Sequence, residues 1–450
     1  MESAKEMTPP ETEGHMKGYF INPKNATLGA TGCGGIKPFV DDLKRRVHLP
    51  LIVKGLGDKL WGYKLASLVL VLVCRPQLGA SSIAAVGEKL LCRFISRLFY
   101  LRWESKRSSQ GKQQETTAHH ASVDILYDLF EKLDPERLLV VINNHIKRMR
   151  REGKVPKQPD LVVDSFIIEL SVKSLKKSRF EKIGGRKIRG KYYRGFKVYV
   201  AIDLSTKVLL YIDFCGISTN DSQQLIPIVE AVRKLSFRPR SAIFDRGFWK
   251  AENFKWLNQH RILFYTVLKQ YTDETRALVA SVSSRSSGRH RVRDGFWVTE
   301  VAPICLPRYL KTKCLRCFVI RLRGKKPWAV ITNDEATDAT WAAEFYLRRN
   351  RVEKVIQELL DDYSISKLPR GAFDENTCWV LLTTWSYNLF LDFKMTIFGL
   401  KQTEIHRRKL STLRRQIIDV SAIVHYIRKA MILEFENPSP LMAELLSTVA

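Results

Sequence analysis

Residues 160–172, DLVVDSFIIELSV, and residues 196–217, FKVYVAIDLSTKVLLYIDFCGI, decide the fold. They hold three short runs rich in Val, Ile, Phe and Tyr, and Ser205-Thr206 marks a turn between the second and third. Downstream, NDSQQLIPIVEAVRKLSF (220–237) has helical spacing, SAIFDRGF (241–248) reads as a strand ending in a Gly turn, KAENFKWLNQH (250–260) as a helix and RILFYTVLK (261–269) as a strand. Strand, strand, strand, helix, strand, helix, strand is the order of a mixed α/β sheet layered with helices.

Working outward, residues 273–338 switch to short strands (GFWVTEVAPICL, KCLRCFVIRL, PWAVITN) joined by basic loops, the pattern of a β insertion. TDATWAAEFYLRRNRVEKVIQELLDDY (337–363) follows as one long helix, then the apolar CWVLLTTWSYNLFLDFKMTIF (378–398) and a basic helical tail. On the amino-terminal side, residues 60–103 and 122–154 have helical spacing, with Ser81 or Ser82 as an N-cap. The tail HIKRMRREGK (145–154) suits a phosphate backbone, and a solvated helix face is the plainer alternative. The polar stretch ESKRSSQGKQQETTAHH (104–120) reads as a linker or exposed loop, and residues 1–57 as a loosely ordered arm.

The chain has 450 residues with 75 Lys+Arg against 46 Asp+Glu, a formal charge of +29, and 45% apolar positions. That is enough apolar residue for real cores and excludes disorder throughout. The excess positive charge implies a polyanionic partner, most often nucleic acid, and argues against a protein built only for a small acidic metabolite. The longest apolar run, Leu65 to Cys74, ends at Arg75 and is far shorter than a membrane span of about 20 residues. No basic segment followed by an apolar one opens the sequence, so the expected location is intracellular and DNA-associated. Eight scattered cysteines fit reduced, buried thiols. Only Cys314 and Cys317 have C-x2-C spacing, and no second pair completes a zinc site.

Asp164 interrupts an apolar strand, where a carboxylate is costly unless a cation or hydrogen bonds offset it. Asp245 repeats the pattern at a strand end, where sites of α/β sheets form. Each alone is also what a cap or turn residue looks like. Tyr346, Arg349 and Glu353 fall within about 60° of one another on a helix face that borders the stripe Phe345, Val352, Ile356 and Leu359. An Arg349–Glu353 salt bridge on a wet face is the alternative there. Two strand carboxylates and one helix carboxylate can hold two divalent ions, and an oxygen-only ligand set favours Mg²⁺ or Mn²⁺ over zinc. Asp203, in YVAIDLS, is the rival for the first strand position, although the turn directly after it suits a hairpin end better.

FDRGFWKAENFKWLNQHRILFYTVLK (244–269) resembles the second-Asp block of insertion-sequence transposases with a ribonuclease-H-like DDE domain, its last strand ending in the cation Lys269. YLRRNRVEKVIQELL (346–360) resembles the signature Y-x2-R-x3-E-x6-K of the insertion-sequence-four type, and VVDSF (162–166) its first-Asp strand. The signature departs at its last position, which is Leu360; Lys354 lies on the same helix in a different direction. The resemblance covers about residues 155–395. It implies a ribonuclease-H-like mixed sheet flanked by helices and interrupted by a β insertion. It also implies metal binding and catalysis by Asp164, Asp245 and Glu353, and contacts of Tyr346 and Arg349 with phosphates at transposon ends. Arg246 is a candidate phosphate ligand. Trp328, in WAVIT (328–332), matches a Trp that stacks on a flipped base in some members, and is otherwise an ordinary strand Trp.

Two basic segments would flank this site. Lys173 to Lys197 holds eleven Lys/Arg against Glu181, with Lys187, Arg189 and Lys191 the foremost DNA candidates, and Arg285 to Lys326 holds twelve against Asp294 and Glu300. The expected organisation is an arm (1–57), a helical DNA-binding domain (58–155), a catalytic domain (156–272 and 339–400) around a β insertion (273–338), and a helical region (401–450) for dimerisation or DNA contact. The expected activity is that of a DNA transposase. Two Mg²⁺ or Mn²⁺ ions would serve cleavage at transposon ends and strand transfer into target DNA, in a homodimer on double-stranded DNA. A nuclease of the same fold and a transposase-derived DNA-binding protein without activity are the alternatives.

Overall fold

Where apolar residues occupy every position of a run, both faces of the strand must be covered, and the central runs of this chain obey that rule. The computed structural model describes residues 27–48, 59–61, 63–107, 115–177, 179–188, 190–270, 273–282, 289–305, 314–400, 403–427, 430–435 and 437–449. Strands β1 (Thr27–Thr31), β2 (Lys59–Leu60), β3 (Tyr63–Lys64), β4 (Arg102–Arg107) and β5 (Glu115–His120) precede the main sheet. The main sheet comprises β6 (Asp160–Glu169), β7 (Gly184–Ile188), β8 (Lys191–Asp203), β9 (Leu209–Gly216), β10 (Ser241–Phe244), β11 (Leu263–Val267), β12 (Arg289–Arg293), β13 (Phe296–Cys305), β14 (Cys314–Leu322) and β15 (Trp328–Thr332). Strands β16 (Ala422–Ile427) and β17 (Ala430–Glu434) follow it.

The main sheet runs β12-β13-β14-β15-β11-β10-β6-β8-β7, and β9 pairs with the same edge of β8 as β7 does. β10 is parallel to β6 and to β11, and the other pairs are antiparallel. On β8 every residue from Gly195 to Asp203 is buried, as is every residue of β10, so the sheet is covered on both faces. The turn after β8 falls at Ser205-Thr206. Asp203 closes it by accepting from the Thr206 N–H and Oγ1, both at 2.8 Å, and from Ser205 Oγ at 2.5 Å.

Residues 273–338, expected as a β insertion, are continuous with the main sheet. They open with a helix, Asp273–Ser281, and their strands β12–β15 continue the main sheet through antiparallel pairing of β15 with β11. The stretch 337–363 is two helices, Ala339–Leu347 and Asn350–Asp361. Between them the hydrogen bonds tighten to i→i−3, from the N–H of Arg349, Arg351 and Val352 to the carbonyls of Tyr346, Arg348 and Arg349.

Other expectations fail where strand pairing overrides local composition. The linker 104–120 is largely the hairpin β4–β5, and the carboxyl-terminal region contains β16 and β17 besides helices. In the arm, β1 joins β16 and β17 in a three-stranded sheet. The helix Ile36–Arg45 buries Ile36, Phe39, Val40 and Leu43, with the Phe39 ring 5.6 and 5.2 Å from Phe390 and Phe393. The arm's remaining residues, 1–26 and 49–57, lie outside the described residues. Ser82 caps the helix Ile83–Leu90, accepting from the Ala85 N–H at 3.2 Å. Cys314 is in a disulfide, contrary to the expectation of reduced thiols throughout. Across β13–β14 its register partner is Cys305, while Cys317 is a free thiol in the core.

The basic tail 145–154 turns largely inward. Asp392, on the Phe373–Ile397 helix and wholly buried, accepts from His145 Nε2 at 3.0 Å, Arg148 Nη2 at 2.5 Å and Lys154 Nζ at 2.5 Å, with Arg46 Nη1 at 3.3 Å. The Trp385 N–H donates to His145 Nδ1 at 3.3 Å, so the Nε2 proton points at Asp392 and the ring is neutral, in keeping with a pKa lowered by burial. Burial alone would push the Asp392 carboxyl up. The His145 hydrogen bond and the charges of Arg46 and Lys154 instead hold it below the usual carboxylate range. A depressed folded pKa contributes stability above the unfolded pKa near about 4, and that contribution is lost as the pH falls below it. Asp392→Asn is therefore expected to cost about 3–5 kcal/mol in urea unfolding at pH 7, because three cations lose their anion. The gap to the native chain should narrow steadily below about pH 4.

Candidate active site

Val163 of β6 and Phe244 of β10 are parallel partners, so the next residue on each strand, Asp164 and Asp245, emerges at the same end of the sheet. Asp164 stays in β6, opposite Val200 of β8, and its Oδ1 accepts from the Ser165 N–H at 2.8 Å. Asp245 leaves the sheet as N-cap of a short 3₁₀ turn, Arg246–Phe248, accepting from the Gly247 N–H at 2.7 Å. The Asn350–Asp361 helix packs on β6 and carries Glu353 in its first turn.

Arg349 joins two of these acids. Its Nη1 donates to Asp164 Oδ2 at 2.6 Å and its Nη2 to Glu353 Oε1. Asp164 is mostly buried, with 14% of its side chain exposed, whereas the Glu353 side chain is 52% exposed. Glu353 is thus wetter than its apolar stripe predicts. Burial pushes the Asp164 carboxyl up to about 6, helped by the negative charges of Asp245 and Glu353 and opposed by Arg349 and the Ser165 N–H. Tyr346 is buried next to this cluster. Its phenol is raised to about 12, chiefly by burial and further by Asp245 and Asp164, while a hydrogen bond with Arg349 opposes the shift. The Trp328 ring, at the start of β15, lies 5.6 Å from that of Tyr346.

A fourth carboxylate adjoins the site, one that local pattern does not single out. Asp221 opens the 3₁₀ turn Asp221–Gln223 and its Oδ1 accepts from Lys197 Nζ at 2.7 Å, Tyr199 Oη at 2.9 Å and Ser165 Oγ at 3.4 Å. On the other side it reaches the Asp245 turn. A Cβ added to Gly247 would lie 2.9 Å from Asp245 Oδ1 and 3.2 Å from Asp221 Oδ2, so glycine is what lets the two carboxylates approach. Burial, and then the Asp221 charge, raise the Tyr199 phenol well above its ordinary value. The signal for this group was the alternation of Lys197 and Tyr199 on one face of an otherwise apolar strand. Lys197 is thereby a buried partner of Asp221 and not one of the free loop cations expected of its segment.

Among the other candidates, Arg246 is exposed beside Asp245. Lys269 lies 5.8 Å from the Trp249 ring, just past β11 at the same end of the sheet. Lys187 and Lys191 are exposed on the β7–β8 hairpin, where Lys191 is 3.5 Å from Glu169, the far end of β6. Glu169 is five residues past Asp164, so these lysines sit roughly 15 Å from it. Arg189 lies outside the described residues. Leu360 packs against the core, and Lys354 is exposed.

The donors Asp164, Asp245 and Glu353 suit a hard divalent cation by chemistry, all being carboxylate oxygens. Among the described residues, however, no three His, Cys, Asp or Glu side chains converge on one point, and the guanidinium of Arg349 stands between two of the three acids. Among the described residues no helix is long and apolar enough to cross a membrane.

One carboxylate within β6 and one just past β10, brought out side by side, with a third on a helix laid against β6, are the arrangement a DDE-type enzyme would use. Residues 156–389 match the family model described as "Transposase DDE domain", just over half of the 450-residue chain, and the chain belongs to that family of transposases. No curated protein matches it. Among solved structures, the cryo-EM structure of the piggyBac transposase synaptic complex with hairpin DNA is similar with a TM-score of 0.46 and 13% identity, over 86% of this chain and 82% of that one.

The Asp164 environment makes a prediction about stability. A carboxylate with a folded pKa above its unfolded value destabilises the fold once ionised, so the cost is absent below about pH 4 and complete above about pH 6. Asp164→Asn cannot ionise. Relative to the native chain it should gain up to about 3 kcal/mol in urea unfolding between pH 4 and pH 7.5, and a difference independent of pH would refute the raised pKa.

Proposed function

We propose that this chain cuts DNA at the ends of a mobile element and joins the freed 3′-hydroxyl to target DNA, with Asp164, Asp245 and Glu353 holding the divalent ions, Mg²⁺ or Mn²⁺. One observation carries the reading: the parallel register of β6 and β10 brings the two Asp of the family's motif out side by side, and Arg349 ties the helix Glu to the first of them. The strand order β9-β8-β6-β10-β11, three antiparallel strands followed by two parallel additions, supports a ribonuclease-H-like sheet. The insertion-sequence-four type is the proposed subgroup on the spacing of Tyr346, Arg349 and Glu353, despite Leu360 at the signature's last position.

Divalent ions bound there would activate the attacking water or hydroxyl and stabilise the leaving oxygen. The chain's own groups position and neutralise. With ions present, Arg349 would no longer be needed to offset Asp164 and would be free for a phosphate of the element end. Arg246 and Lys269, at the same end of the sheet, would hold the flanking backbone. Trp328, already against Tyr346, would take an unstacked base. Asp221 would keep Ser165 and the Asp245 turn in place through its bonds to β8. Helices of residues 58–155 would read the element end, and a homodimer would bring two ends together.

The test is a nicking and joining assay with Mg²⁺ on oligonucleotides carrying the DNA that flanks the reading frame. The native chain should nick and then join. Asp164→Ala, Asp245→Ala and Glu353→Ala should each lose at least about a hundredfold in nicking while still binding the duplex. Nicking without joining would favour a nuclease. Binding without any turnover in the native chain would favour a transposase-derived DNA-binding protein, the reading that Leu360 supports.

A further inference from the structure

Six cations gather at the other end of the main sheet. Arg150 and Arg151, from the end of the Pro135–Arg151 helix, Lys157, just before β6, and Arg233, Lys234 and Arg238, which lead into β10, line an open groove of about 1050 Å³. No carboxylate lines it. Five of the six are exposed and Arg150 is half-buried. Among the described residues none of the six is in an ion pair, and the acids beside Arg151 and Lys157 are paired elsewhere: Glu152 with Arg46, Arg148 and Lys154, and Asp160 with Arg240.

The walls are tied together by the fold. The Arg238 N–H donates to the Lys157 carbonyl at 3.0 Å and Arg150 Nη1 to the Ser236 carbonyl at 2.9 Å, with the Arg150 guanidinium 5.7 Å from the Phe237 ring. Two helices, Pro135–Arg151 and Leu225–Lys234, end here. Basic residues at helix ends offset the helix dipole, but two ends supply only about one negative charge in all, against six positive. The surplus needs an external anion, and its spread along an open groove suits a chain of phosphates better than a single one.

Lys157 and Arg238 precede Asp164 and Asp245 by seven residues each along parallel strands, so the groove lies about 20 Å from the carboxylates. A phosphate held there is not the reacting one. We propose that this groove is a second DNA-binding surface, which grips the backbone of a duplex segment other than the one being cut. The role of that segment rests on the function proposed above; the binding does not.

The test uses the full chain and a labelled 40-bp duplex titrated between 50 and 200 mM salt. Arg233→Gln/Lys234→Gln/Arg238→Gln should weaken binding at least tenfold at 100 mM salt and flatten the plot of log K against log salt by about 2–3. Arg151→Gln/Lys157→Gln, on the opposite wall, should flatten it by about 2. Metal-dependent nicking of a short duplex at saturating concentration should be unchanged in both. Unaltered affinity and slope in both variants would overturn the proposal. So would an equal loss in the control Lys132→Gln/Arg137→Gln/Lys255→Gln, whose exposed cations lie outside the groove, or a loss confined to a labelled RNA duplex. If the native chain does not nick the short duplex, the function proposed above fails while the salt titration still decides the groove.

Discussion

Because β6 and β10 run in parallel with Val163 opposite Phe244, Asp164 and Asp245 have no choice but to emerge together. Burial in a sheet covered on both faces, with the neighbouring negative charge of Asp245 as a lesser cause, pushes the Asp164 carboxyl up. Much of the surrounding structure is the response to that constraint. Arg349 reaches across from the helix side to Asp164, and Glu353 completes the pair. Asp245 turns away to cap the 3₁₀ turn, and Asp221 is accommodated only because Lys197 and Tyr199 meet it from β8 and Gly247 leaves room. The site stores charge that the fold would be more stable without, as expected where function and stability conflict.

The positive excess of the chain is divided between inside and outside. Arg46, Arg148 and Lys154 are spent around Asp392, joining the amino-terminal helices to the long Phe373–Ile397 helix, and Lys197 serves Asp221. Those contacts make the amino-terminal helices part of the same core as the sheet. Part of what remains outside lies at two ends of the sheet: exposed Arg246 and half-buried Lys269 by the carboxylates, and the six-cation groove at the opposite end. A net charge of +29 is thus a smaller surface excess than composition suggests in some places and a denser one in others.

Most strands and helices from residue 160 to 269 were legible because each is short and its apolar pattern is strong; the helix Val172–Lys177 and β7 were not, because their basic residues read as a loop. Elements whose partners are remote were not. β1 pairs with β16, almost 400 residues away. The tail 145–154 read as suited to a phosphate backbone because nothing in its own sequence announces Asp392.

By itself the sequence offered candidates for the chemistry: Asp164, Asp245 and Glu353 in an order and spacing that resembles a family, with Tyr346, Arg349 and Trp328 at similar offsets. The tertiary structure alone decided how they stand. It put a guanidinium between two of the acids, added Asp221, sent Lys197 inward, and assembled a basic groove from three segments separated by up to 88 positions, Arg150 to Arg238. The physical reason is that periodicity and spacing report a side chain's direction relative to its own backbone. Its charge environment is set by whichever other segments the sheet register and helix packing bring within a few ångströms, and that information is spread over the whole chain.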